Sequence, residues 1–84
     1  MEEKQLGVID DFFAKVGVMA LKLEDTVKIG DTIHIKGHTT DINQAVASMQ
    51  IDNKPVQEAK KGDSVGIKID GRARKGDMVY RVIP

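Results

Sequence analysis

The sequence predicts an all-β fold: a small antiparallel β-barrel of about six strands, in one domain over residues 1–84. Three observations predict it. Apolar residues recur with a period of two rather than 3.6. Glycine–aspartate doublets interrupt the chain before apolar runs, at Gly30-Asp31, Gly62-Asp63 and Gly76-Asp77. Sustained helical periodicity is absent, and the chain is too short to cover both faces and edges of an open sheet.

Residues 6–13 and 16–23 are rich in large and β-branched apolar side chains, with Ala14-Lys15 between them as a turn or kink. Thr32-Ile33-His34-Ile35-Lys36 alternates strictly, with Ile33 and Ile35 on one face. Residues 41–51 are less regular. Ile42 and Val46 share one phase while Ala45, Ala47 and Met49 share the other, which predicts a bulge or a change of face. Pro55 opens a turn, and residues 56–60 predict a single helical turn that breaks at Gly62. Val65, Ile67 and Ile69 alternate again. In the last run Val79 and the Tyr80/Val82 pair argue for opposite faces.

The repeated doublets read as strand-opening turns. Glycine adopts positive φ without steric cost, and the following carboxylate accepts backbone N–H groups to hold the turn. Convergence of Asp31, Asp63 and Asp77 on a metal is the alternative. Nothing in their spacing brings them together, so no metal site is expected.

Composition narrows the function. The chain is 40% hydrophobic and 31% charged, with 13 basic residues balancing 13 acidic ones. That is a soluble globular balance. No cysteine is present, which removes disulfides and thiolate metal clusters. No apolar run approaches the ~20 residues of a membrane span. Met1-Glu2-Glu3-Lys4 leads into no signal-peptide core, so the expected location is cytoplasmic and no membrane partner is expected. Zero net charge argues against a dedicated nucleic-acid binder, so any RNA contact needs a local basic patch.

Two patches qualify. Lys36-Gly37-His38-Thr39-Thr40-Asp41 could position a phosphate or a metal, or be a plain β-turn. Arg72-Ala73-Arg74-Lys75 and Lys60-Lys61 could contact phosphates, or be solvated tips that keep edges soluble. The candidate site is therefore Lys36, His38, Lys60, Lys61, Arg72, Arg74 and Lys75. His34 falls on the outward face and is expected to be solvated. Along a strand it stands ~13 Å from His38, too far to share a metal. Phe12, Phe13 and Tyr80 are the only aromatics, and the phenylalanines are expected in the core. Asp10-Asp11 and Glu24-Asp25 are strand neighbours expected to point apart, and no nucleophile has a recognisable base. The expectation is a protein without enzymatic activity and without a cofactor.

The run Val27-Lys28-Ile29-Gly30-Asp31-Thr32-Ile33-His34-Ile35-Lys36-Gly37 resembles the second-domain barrel of translation elongation factors related to elongation factor Tu. Residues 46–50 and 59–67 look like the later half of that domain. Arg74-Lys75-Gly76-Asp77-Met78-Val79 is similar to the approach to its last strand, and the likeness runs from about Gly7 to Val82. The segment Gly37-His38-Thr39-Thr40-Asp41, followed by Ser48-Met49-Gln50-Ile51, is similar to stand-alone translation-factor-like proteins. It is also similar to the small barrel at the C-terminal end of collagenase-like peptidases. A phosphate loop ending in Gly-Lys-Ser/Thr is missing, so nucleotide hydrolysis is not expected on this chain. The first resemblance implies a non-catalytic module binding tRNA, rRNA or a ribonucleoprotein. The second implies a protein-interaction module that docks onto a separate peptidase-like enzyme.

Overall fold

In a computed structural model, which describes residues 2–83, every regular element is a strand. These are β1 (Glu2–Phe13), β2 (Val18–Lys22), β3 (Val27–Lys28), β4 (Thr32–Lys36), β5 (Asp41–Ala45), β6 (Met49–Ile51), β7 (Lys54–Pro55), β8 (Glu58–Ala59), β9 (Ser64–Lys68) and β10 (Met78–Ile83). Eight of them pair in the order β5-β4-β10-β1-β2-β9-β6-β7, and β3 pairs with β8 separately. All pairings are antiparallel. The all-β expectation holds, but there are ten strands rather than about six. The surplus comes from β3, β7 and β8, two-residue strands too short to show periodicity, and from the division of residues 41–51 into β5 and β6.

The strands with clean alternation bury the residues they should. Ile33 and Ile35 of β4 and Ile67 of β9 are fully buried, and Val65 nearly so. They pack with Leu6, Ile9, Met19, Leu21 and Val79 in one core. The ambiguous last run resolves because Val79 faces this core while Tyr80 and Val82 are half-buried on the other side. Residues 41–51 do change face: β5 ends at Ala45, Val46 turns into the core, and β6 begins at Met49.

The helical turn expected at residues 56–60 does not form. Val56 N–H donates to Met49 O at 3.1 Å and Ile29 N–H to Gln57 O at 2.9 Å, so this backbone is committed to strands on either side. Pro55 lies in β7 rather than opening a helix. The β6–β7 hairpin turns on Asp52 and Asn53, at φ 53° and 64°, the paired positive values that match strand twist.

The three doublets build one turn three times. Gly30, Gly62 and Gly76 have φ of 95°, 94° and 95°. Asp31 Oδ2 accepts the Lys28 N–H at 3.0 Å, Asp63 Oδ2 the Lys60 N–H at 2.9 Å, and Asp77 Oδ2 the Arg74 N–H at 2.9 Å. The aspartate N–H in turn donates to the carbonyl of the same residue, at 3.1, 2.9 and 3.0 Å. Each carboxylate is thus used within its own turn.

β1 joins the two halves of the large sheet. Its first half pairs with β10 and its second with β2, with register shifts between Gln5 and Gly7 and between Ile9 and Asp11. Gly7 permits the crossing: a Cβ there would lie 2.7 Å from the Lys22 carbonyl oxygen. Asp10 is the extra residue of the second bulge, so Asp10 and Asp11 are both exposed and do not point to opposite faces as expected.

The two ends of the large sheet are β5 and β7. Beyond β5 a side chain continues the hydrogen bonding. Gln44 Nε2 donates to Lys68 O at 3.2 Å, and Asp70 N–H donates to Gln44 Oε1 at 2.8 Å. The amide mimics a peptide unit and stitches β5 to the chain leaving β9.

Candidate functional site

Of the seven expected site residues, the fold gathers five at one end and leaves two elsewhere. Arg72 and Arg74 line a groove with Phe12, Ala14, Thr39 and Thr40. Lys36 and His38 belong to the adjoining loop that shares Thr39 and Thr40, and Lys75 follows Arg74 in the Gly76-Asp77 turn. Gly37 is what lets these loops meet, because any Cβ there would collide with the Asp77 carboxylate. Lys60 and Lys61 do not join this cluster. Their turn is tied to Leu23 by hydrogen bonds of 2.8 Å, and Lys61 borders a different hollow with Val8, Lys22 and Glu24.

His34 corrects the expectation of a solvated side chain. Its Nδ1 lies 2.7 Å from Glu3 Oε2 and its Nε2 2.6 Å from Asp41 Oδ1, and the side chain is only 15% exposed. The Tyr80 ring stands beside it, centroids 6.4 Å apart. The Asp41 hydrogen bond, with that of Glu3, holds the imidazole above its ordinary pKa against partial burial. One residue along the same strands, in the opposite side-chain phase, Asp25 Oδ2 lies 3.3 Å from both Lys4 Nζ and Arg81 Nη2, and Arg81 Nη1 donates to Thr26 O. The Thr26 N–H, 2.8 Å from Oδ1, is the main cause of a lowered Asp25 pKa, followed among the stabilising contacts by Lys4 and Arg81. Both clusters tie neighbouring parts of the chain together, with the His34 ring and the Asp25 carboxylate each held by two side-chain partners.

The largest apolar concavity lies on the outer face of β2, β9 and β6 and was not foreseen. It is lined by Phe13, Val16, Val18, Ala20, Gly66 and Gln50, with Asp10 at one side and Asp52 and Asn53 at the other. Its floor is shallow in side chains because Ala20 and Gly66 are cross-strand partners, and Gly66 in turn pairs with Gln50. Phe13 and Val16 are 50% and 60% exposed, where the sequence placed both phenylalanines in the core. Only Phe12 packs against the core. The available signal was the adjacency of Phe12 and Phe13, which a strand must send to opposite faces.

No protein-family model matches the chain. It is 46% identical over 77 residues to an uncharacterized protease of Methanocaldococcus jannaschii, a match covering 90% of this chain and 19% of that protein. It is 33% identical over 72 residues to a collagenase of Porphyromonas gingivalis, covering 83% of this chain and 20% of the collagenase. The chain thus spans about a fifth of the length of these relatives. In fold it matches crystal structures of the C-terminal domain of a candidate U32 peptidase from Geobacillus thermoleovorans. The TM-scores are 0.87, at 12% identity over 95% of this chain and 93% of the other, and 0.84, at 13% over 90% and 96%. The peptidase-linked resemblance is therefore the one supported by these similarities, which do not show the likeness to elongation factors.

Proposed function

We propose that the chain is a non-catalytic accessory β-module that docks onto a peptidase-like protein. The observation that carries this reading is the asymmetry of coverage: nine-tenths of the chain matches one-fifth of a protease. The geometry supports it. Titratable groups close enough to interact are consumed in turns or strand-tying contacts, as with Asp31, Asp63, Asp77, His34 and Asp25. The most apolar concavity is exposed, the character of a protein contact rather than of a reaction centre.

The test is a titration of the purified chain into a U32-peptidase-like protein from which the C-terminal segment has been deleted, and into its intact form. Saturable one-to-one binding to the deleted form, and weaker binding where the resident segment competes, is expected. Absence of binding to either form, or peptide hydrolysis by the chain alone, overturns the reading.

A second reading rests on the basic loop end, where Arg72 and Arg74 flank Thr39, Thr40 and the partly buried Phe12. Such a groove suits the backbone of an RNA. Retention of total tRNA on filters that weakens steeply with salt, and vanishes in the Arg72→Glu/Arg74→Glu variant, is the expected result. Retention that ignores either change counts against it.

A further inference from the structure

We infer that the groove over β2, β9 and β6 receives an apolar segment flanked by a basic residue, supplied by the peptidase-like partner. This deepens the docking proposal and rests on it.

The floor comes first. Gly66 carries no side chain, and a Cβ there would lie 3.1 Å from Val18 Cγ1 and 3.3 Å from Gln50 Cγ. With Ala20 as its neighbour, two adjoining outward positions contribute little side chain of their own, and Val18 and Gln50 lean in over Gly66 to make a low, mostly apolar floor. Most outward strand positions carry longer polar groups, so this low stretch is where another chain can seat an apolar side chain. Phe13 and Val16 stand above it as an exposed apolar wall.

The rim sets the charge of the occupant. Asp10 is thrown outward by the bulge in β1, and Asp52 stands on the positive-φ hairpin tip between β6 and β7. They lie on opposite sides of four adjacent strands, β1, β2, β9 and β6, and so are separated by three strand spacings, about 14 Å. The groove lining holds these two aspartates and no lysine, arginine or histidine. Lys22 and Lys68, the partners of Ser64 and Val18, remain outside it. An apolar side chain seated between the aspartates therefore gains from a lysine or arginine one or two positions away along its own chain, and an acidic neighbour is repelled.

The probe is the U32-peptidase-like protein lacking its C-terminal segment, titrated by calorimetry with the wild-type chain, Ala20→Arg, and Asp10→Lys/Asp52→Asn, in which asparagine tolerates the positive φ of position 52. Ala20→Arg fills the floor. The double variant alters only exposed positions, so it keeps the test valid if Ala20→Arg does not fold. Both are expected to weaken binding ~10-fold or more. If the wild type binds and both variants match it, this inference falls while the docking proposal stands. If only Ala20→Arg weakens binding, the basic flank is overturned. If the wild type does not bind, both fall together. Sedimentation of the chain alone adds one more outcome: self-association abolished by Ala20→Arg identifies the occupant as a second copy and overturns the inference.

Discussion

His34 Nε2 lies 2.6 Å from Asp41 Oδ1, while the opposite nitrogen of the same ring faces Glu3 at 2.7 Å. A neutral imidazole donates from one nitrogen only, so it would turn a lone pair toward one carboxylate. The imidazolium donates from both, and this ring thereby ties the start of β1 to the β4–β5 hairpin.

A pH dependence follows. The folded-state pKa of His34 is raised above its ordinary 6.5. Its contribution to stability is therefore complete below that value and is lost as pH rises through the higher folded-state pKa. The carboxylates are 40% and 77% exposed, so each pair contributes no more than about 0.2–1 kcal/mol. Melting temperature should fall by a few degrees from mildly acidic to mildly alkaline pH, and His34→Gln should flatten that slope. An unchanged slope in the variant would assign the dependence to another group.

The opposite sign applies at Asp25. Its pKa is lowered below the ordinary 3.8, so its contribution is present above that value and fades as pH falls through the folded-state pKa. Asp25→Asn should lower the melting temperature at neutral pH and make little difference in strong acid, as read by circular dichroism melts at the two pH values.

The repeated turn allows an internal comparison. Asp31→Ala and Asp63→Ala each remove a bond to an exposed backbone N–H and should cost about 0.5–1.5 kcal/mol by urea denaturation. Asp77 is only 8% exposed and its carboxylate also packs on Gly37, so Asp77→Ala should cost more, about 1–3 kcal/mol. Equal losses at all three would mean that the surroundings of Asp77 add nothing.

Gln44→Leu should cost about 1 kcal/mol and raise amide exchange at Asp70, the N–H that Gln44 Oε1 accepts. Unaltered exchange at Asp70 would show that this stitch does not hold the sheet end.

Much of the fold was legible where alternation ran for five residues, as in β4 and β9, because burial on one face of a pleat dictates it directly. The doublets were legible too, since a turn closes within four residues. The rest depended on partners far along the chain. Glu3 meets His34 from 31 positions away and Arg81 reaches Thr26 from 55, distances at which local pattern carries no information. The same limit explains the candidate sites. Arg72 and Arg74 join the Thr39-Thr40 loop only because β4 and β10 are paired, and Lys60-Lys61 follow β8 to another part of the surface. The bulge that exposes Asp10 left no mark in the sequence.

The position of β10 has a consequence for how the protein acquires its structure. It follows β9 along the chain, yet it lies inside the sheet, between β1 and β4. Until those residues arrive, two apolar strand edges have nothing to bind, and the earlier segments cannot be sealed into a single body. Sealing of this sheet is therefore gated by the last of its strands to be made, and a nascent chain stalled before Met78 would expose the surfaces most prone to mispairing.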